Sequence, residues 1–132
     1  MTSKVTYLGE LRTSSIHLQS GAEILSDAPK DNHGKGEAFS PTDTVANALA
    51  SCMFSIMGIK ARDMGVKLEG STAEVTKHMQ SEPRKIAKIE VVFHMQSDAD
   101  EKARKLLERV ALHCPVHLSL HPDIEQVITF NW

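Results

Sequence analysis

Two cysteines, Cys52 and Cys114, are the residues of this chain best suited to chemistry, and there are no others. A thiol becomes a nucleophile only as thiolate, so the environment each one occupies decides what it can do. Cys52 lies in the middle of a long helical pattern, far beyond the first turn where a helix dipole acts. On its own helix it is an inert, buried thiol that needs a positive partner from elsewhere, with Arg12, Arg84 and the histidines as candidates. Cys114 precedes Pro115, at a break between two helical segments. It is expected at the positive end of a short helix, a position that lowers a thiol's pKa and favours exchange chemistry. Free cysteines are also common as small buried hydrophobes. Passive packing and a redox pair therefore both fit the two residues.

His113, His117 and His121 bracket Cys114 at a spacing of four. That spacing can share a metal on one helix, but the expected break at Cys114–Pro115 separates His113 from the other two. No second cysteine pair completes a tetrahedral set. Hydrogen-bonded or solvated histidines are expected instead, with no metal and no cofactor, and His113 is a possible cationic neighbour of Cys114. Lys102 to Arg109 reads as an amphipathic helix surface, not a nucleic-acid patch.

The elements that must position these thiols follow from periodicity. Residues 4–10, 12–18 and 22–26 read as an antiparallel meander of three strands, with Ser20-Gly21 as a turn. Asp27 to Phe39 is loop-like. Ser40 to Met64 is the long helix. Ser40 caps it, Pro41 takes the first position and Asp43 closes a Ser-x-x-Asp capping box. Val45, Ala48, Leu49, Cys52, Ile56 and Ile59 share its expected buried face, and Gly65 stops it. A long hairpin is expected from Val66–Gln80 and Ile86–Gln96, with a bulge near Gly70. Ile89, Val91, Phe93 and Met95 form its apolar face. A helix over Ala99–His113, capped by Ser97 or Asp98, a short helix over Val116–Leu120 and a strand over Gln126–Trp132 complete the chain. The order β-β-β-α-β-β-α-β with short loops favours antiparallel pairing and an α+β class.

A chain of 132 residues with 41% hydrophobic and 24% charged residues has the size and composition of one globular domain, residues 1–132. The 15 Lys and Arg are interspersed with 17 Asp and Glu for a net charge of -2, which excludes a basic nucleic-acid-binding surface. The first residues carry no apolar signal region, and no uninterrupted apolar run reaches the roughly 18 residues of a membrane span. A cytoplasmic location is expected, with neither membrane nor nucleic acid as partner.

Three segments in order resemble the OsmC/Ohr family of hydroperoxide-handling proteins. They are SPTDTVANALASC at residues 40–52, the Met64-Gly65-Val66 and Leu68-Glu69-Gly70 helix exit, and His113-Cys114-Pro115-Val116. The resemblance covers nearly the whole chain. It implies an OsmC-like fold with a long central helix, and a tightly intertwined homodimer. It also implies that Cys52 attacks the O–O bond of a small hydrophobic peroxide, that Cys114 resolves the sulfenic acid as a disulfide, and that a cellular dithiol reduces it. Family peroxidases use an Arg held by a Glu to activate the first cysteine, with the acid ten positions before it. Here Thr42 stands at that place and Asp43 follows it, while Arg12 is the only arginine before residue 62. Arg12 and Asp43 are thus the candidate activating residues, although at about 100° per residue Asp43 points away from Cys52 on their shared helix. These departures are similar to the OsmC-like branch. A ligand-binding dimeric stress protein, holding a small hydrophobic molecule in a cleft between subunits, is the alternative.

Overall fold

The computed structural model describes residues 1–132, which divide into two compact units, Met1–Val45 and Ala46–Trp132. The first unit is the expected meander: β1 (Ser3–Gly9), β2 (Arg12–His17) and β3 (Glu23–Asp27) pair antiparallel in that order. After β3 comes one 3-10 turn, Lys30–Asn32. The residues buried in this unit are Ser14, Asp27 and Ser40, all polar. Val5, Tyr7, Leu8, Ile24, Leu25 and Phe39 are exposed.

Helix α1 (Pro41–Met64) starts as its sequence dictates. The Ser40 Oγ accepts from Asp43 N at 3.0 Å, and an Asp43 carboxylate oxygen accepts from Ser40 N at 3.0 Å. This is the reciprocal capping box, which satisfies two helix-end donors. At the other end Gly65, at φ 67, lets Val66 N donate back to Ala61 O at 2.9 Å. The buried face differs from expectation. It runs through Ala46, Leu49, Ala50, Met53, Met57 and Ala61, while Val45 and Ile59 are exposed and Cys52 sits at the edge. The helix is apolar nearly all round, so several stripes compete, and packing selected the one with small residues and flexible methionines. By length and composition α1 is also apolar enough to cross a membrane, with mean hydropathy 1.3. The uninterrupted-run criterion missed this. Leu49, Met53 and Met57 are nonetheless fully buried inside the protein, as in a core helix.

The second unit carries a sheet in the order β4-β5-β6. β4 (Thr72–Ser81) and β5 (Arg84–His94) form the expected hairpin. β4 starts later than periodicity suggested, because Gly70 at φ 88 and the Ser71 N–Leu68 O turn keep residues 66–71 irregular. The register shift falls at His78/Met79, not at Gly70. Helices α2 (Glu101–Ala111) and α3 (Pro115–Ser119) lead to β6 (Glu125–Asn131). β6 pairs parallel with β5, which corrects the antiparallel expectation. Two helices intervene, giving the chain the crossover length that parallel pairing requires. The cap of α2 is Asp100, not Ser97 or Asp98, with Asp100 Oδ1 accepting from Ala103 N at 2.8 Å. The class is α+β, with one antiparallel and one mixed sheet.

Ile89, Val91 and Phe93 are fully buried and Met95 nearly so, as the alternation required. Phe93 lies edge-on to Phe54, with ring centroids 4.8 Å apart, and stacks on Phe130 at 5.0 Å. Cys114 belongs to the same core, and Cys52 packs against it.

Candidate thiol site

The corner that carries Cys114 is built by helix termination. His113 N and Cys114 N donate to Val110 O and Ala111 O at 3.0 and 3.1 Å, tightening the end of α2. Pro115 then forbids continuation, and Cys114 adopts the extended angles φ -67 and ψ 149 that a residue before proline prefers. This makes Cys114 the capping residue of α3: its Sγ accepts from His117 N at 3.3 Å. The expected break and the proline at the first helical position are both present.

The two thiols are brought together. Cys52, from α1, packs against the core that holds Cys114 and acts on it as a neighbouring thiol, and both are free. Cys114 is fully buried. Burial pushes its thiol up, the His117 N–H draws it down, and the neighbouring Cys52 sulfur pushes it up again. The expectation that the start of α3 would lower this thiol is therefore corrected. The helix is too short and the site too desolvated for the capping N–H to prevail. Cys114 is thus the thiol held protonated, by burial first and by its neighbour Cys52 as well.

Arg12 and Asp43 lie in the other unit, Met1–Val45. Arg12 is clamped by two acids. Its Nε and Nη2 donate to the two Asp27 carboxylate oxygens at 2.7 and 2.8 Å, and Nη2 also donates to Glu37 at 2.9 Å. Glu37 N donates to Asp27 Oδ2 at 3.1 Å, which fixes the acid from behind. The Arg12 hydrogen bonds hold the Asp27 carboxyl below its ordinary range against the opposing effect of burial, and the same bonds raise the guanidinium. A fork-to-fork pair of this kind orients the guanidinium plane as well as holding its charge.

Asp27 and Glu37 were not singled out from sequence, because their stretch reads as a solvated loop. In the β2–β3 pairing Arg12 stands directly opposite Asp27, and opposite charges favour that placement. Asp43 serves as a capping acid, and with Ile24, Leu25, Ala38, Phe39 and Glu37 it lines a cleft of about 710 Å³. Thr42 Oγ1 lies 3.2 Å from Ser40 Oγ at the same helix start.

Of the three histidines near Cys114, His113 is tied by its Nδ1 to Arg109 O at 2.7 Å and His121 Nδ1 accepts from Asp123 N at 3.1 Å. No three His, Cys, Asp or Glu side chains converge as metal ligands.

Comparison with known proteins shows the family and the fold. The family model for OsmC-like protein matches residues 34–128, a span that includes both cysteines. The fold is shared with a crystal structure from Psychrobacter arcticus 273-4, at 54% identity and TM-score 0.96, covering 99% of this chain and 96% of that one. That structure is described as a candidate osmotic stress induced and detoxification response protein. An OsmC like protein from Mycoplasma pneumoniae is similar in fold at 18% identity and TM-score 0.78, covering 99% and 96%. So is an organic hydroperoxide resistance protein OsmC from Legionella pneumophila, at 18% identity and TM-score 0.74, covering 100% and 98%. No curated protein matches the sequence significantly. A family match across both cysteine motifs, together with a full-length structural relative at 54% identity, places this chain in the OsmC-like protein family.

Proposed function

We propose that the protein is a thiol-dependent hydroperoxide reductase with a role in redox stress. The observation that carries this reading is that Cys52 neighbours the fully buried Cys114 in one core. In the first step the Cys52 thiolate attacks the outer oxygen of an organic hydroperoxide. The O–O bond breaks, an alcohol leaves with a proton, and Cys52 becomes a sulfenic acid. In the second step Cys114 attacks that sulfur, a disulfide forms and water departs. A cellular dithiol then restores both thiols, a cycle suited to the cytoplasm.

The family resemblance makes Arg12 the candidate cation for the Cys52 thiolate, and Asp27 and Glu37 hold its guanidinium in one orientation. Asp43 contributes through the cap that fixes the start of the helix carrying Cys52. The stress role draws support from the description of the Psychrobacter relative.

The functional unit in this reading is a homodimer. The Met1–Val45 unit buries only polar residues and leaves Val5, Tyr7 and Ile24 exposed on one face of its sheet, and an exposed apolar face of this kind marks an interaction site. Light scattering on the purified protein should give twice the chain mass.

The test of activity is turnover of cumene hydroperoxide with a dithiol reductant. Wild type should consume peroxide catalytically and Cys52→Ser should not. Equal consumption by the two would reject the reading. If wild type instead binds small apolar molecules while both thiols remain reduced under excess peroxide, the ligand-binding alternative takes its place. The apolar lining of the cleft at Ile24, Leu25, Ala38 and Phe39 is the observation on its side.

A further inference from the structure

A protein disulfide returns to two thiols through a mixed disulfide with its reductant, and which sulfur is attacked depends on access. The fold treats the two sulfurs differently. Cys114 has no exposed surface. It is enclosed at the corner where α2 gives way to α3. Cys114 N donates to Ala111 O at 3.1 Å on one side, and Leu118 N donates to Cys114 O at 3.1 Å on the other. The Cys114 Sγ accepts from His117 N at 3.3 Å. Strand β6 ties the same corner down, because the Gln126 side-chain amide donates to His117 O at 3.3 Å. Reaching the Cys114 sulfur from solvent requires a local opening that breaks these bonds together. Cys52 keeps exposed surface at the edge of the buried face of α1.

We infer that the reductant enters at Cys52: the dithiol forms its mixed disulfide with the Cys52 sulfur, and Cys114 is the thiol expelled. The inference rests on the reading given under Proposed function and assigns the two sulfurs in its reductive half. One thiolate of the dithiol attacks Cys52 Sγ. A new S–S bond forms there, the Cys52–Cys114 bond breaks, and its electron pair goes to Cys114. The His117 N–H meets the sulfur that receives the pair, and the Val116 N–H favours its charge in the same way. Burial opposes that charge, so Cys114 returns to the protonated thiol. The second thiol of the reductant then attacks its own sulfur in the mixed disulfide, and the oxidised dithiol leaves Cys52 free. The two protons that the dithiol gives up through solvent are those the two cysteines regain. The dithiol loses two electrons and the protein disulfide gains them. The corner at Cys114 stays closed throughout, so regeneration does not wait for α3 to open.

The test captures the intermediate on the wild-type chain. Protein oxidised with one equivalent of cumene hydroperoxide, then freed of peroxide, is exposed briefly to 2-mercaptoethanol, a monothiol with no second thiol to release itself. After acid quenching, free thiols are blocked with N-ethylmaleimide and the adduct is located by peptide mass spectrometry. At the earliest times the mercaptoethanol adduct should favour Cys52 over Cys114 by about tenfold or more, with Cys114 carrying the maleimide. A second measurement uses Gln126→Leu, whose side chain cannot donate to His117 O, so that the corner is loosened with both thiols in place. Reduction of the oxidised variant by dithiothreitol should run within about twofold of wild type, because attack at Cys52 needs no opening. Where the adduct is too short-lived to capture, this rate decides. An adduct on Cys114, equal adducts on both cysteines, or a reduction rate that rises beyond that range in Gln126→Leu would overturn the inference and leave the peroxidase reading intact. Absence of a Cys52–Cys114 disulfide after peroxide would overturn both.

Discussion

The Cys52 and Cys114 thiols are neighbours, and the two differ in setting: Cys114 is fully buried and caps a helix, while Cys52 lies at the edge of its helix's buried face. The asymmetry divides their roles. The thiol with access is suited to meet an external oxidant, and the one held protonated is suited to wait for a sulfenic acid beside it. The first consequence is an order of labelling. Under N-ethylmaleimide at neutral pH, peptide mass mapping should show Cys52 modified well before Cys114. The gap should narrow at alkaline pH, since the burial and the Cys52 contact that raise the Cys114 thiol suppress its ionisation. Equal labelling rates at neutral pH would contradict this assignment.

The Arg12–Asp27 clamp gives an acid limb with a definite sign. Asp27 is held below its ordinary range by Arg12. Its contribution to stability is therefore present above the unfolded-chain carboxylate value of about 3.9 and lost as the pH falls through the lower folded value. Urea melts should show Asp27→Asn less stable than wild type at pH 7, with the difference closing as the pH drops below about 3.9. A difference that stays constant across that range would mean that the carboxylate charge is not what Arg12 uses.

The helix that carries Cys52 depends on its cap. Ser40 is buried and exchanges hydrogen bonds with Asp43. Ser40→Ala should cost about 1 kcal/mol, which for a chain of this length lowers Tm by about 4 °C. A change under about 1 °C would show that another group satisfies the helix end.

The aromatic stack belongs to the core that also holds Cys114. Phe93 contacts the rings of both Phe54 and Phe130 and has no exposed surface. Phe93→Ala should destabilise by about 3–5 kcal/mol, measured by urea denaturation.

Much of this architecture was legible in the residues. The alternation from Ile89 to Met95, the Ser40–Asp43 box and the Gly65 stop encode local geometry, and local geometry survives folding. What failed was set by packing at a distance. The α1 sequence is apolar on several sides, so its buried stripe was decided by what it packs against. The parallel partnership of β5 and β6 depends on the crossover through α2 and α3, which no strand pattern records. At the site, the Cys114–Pro115 corner was readable because proline restricts the residue before it. The partners of Arg12 were not, because Asp27 and Glu37 sit where composition says only loop. The sign of the Cys114 shift was misjudged because burial outweighs the capping N–H, and burial is a property of the whole core.

The central claim is that Cys52 and Cys114 form one redox couple within a single chain. Non-reducing peptide mass spectrometry after one equivalent of cumene hydroperoxide tests it most directly. The expected result is loss of both free thiols together and a Cys52–Cys114 disulfide-linked peptide pair, with Cys114→Ser stopping at a sulfenic acid on Cys52. Two thiols still free after excess peroxide, or a disulfide joining the same cysteine of two chains, would contradict it.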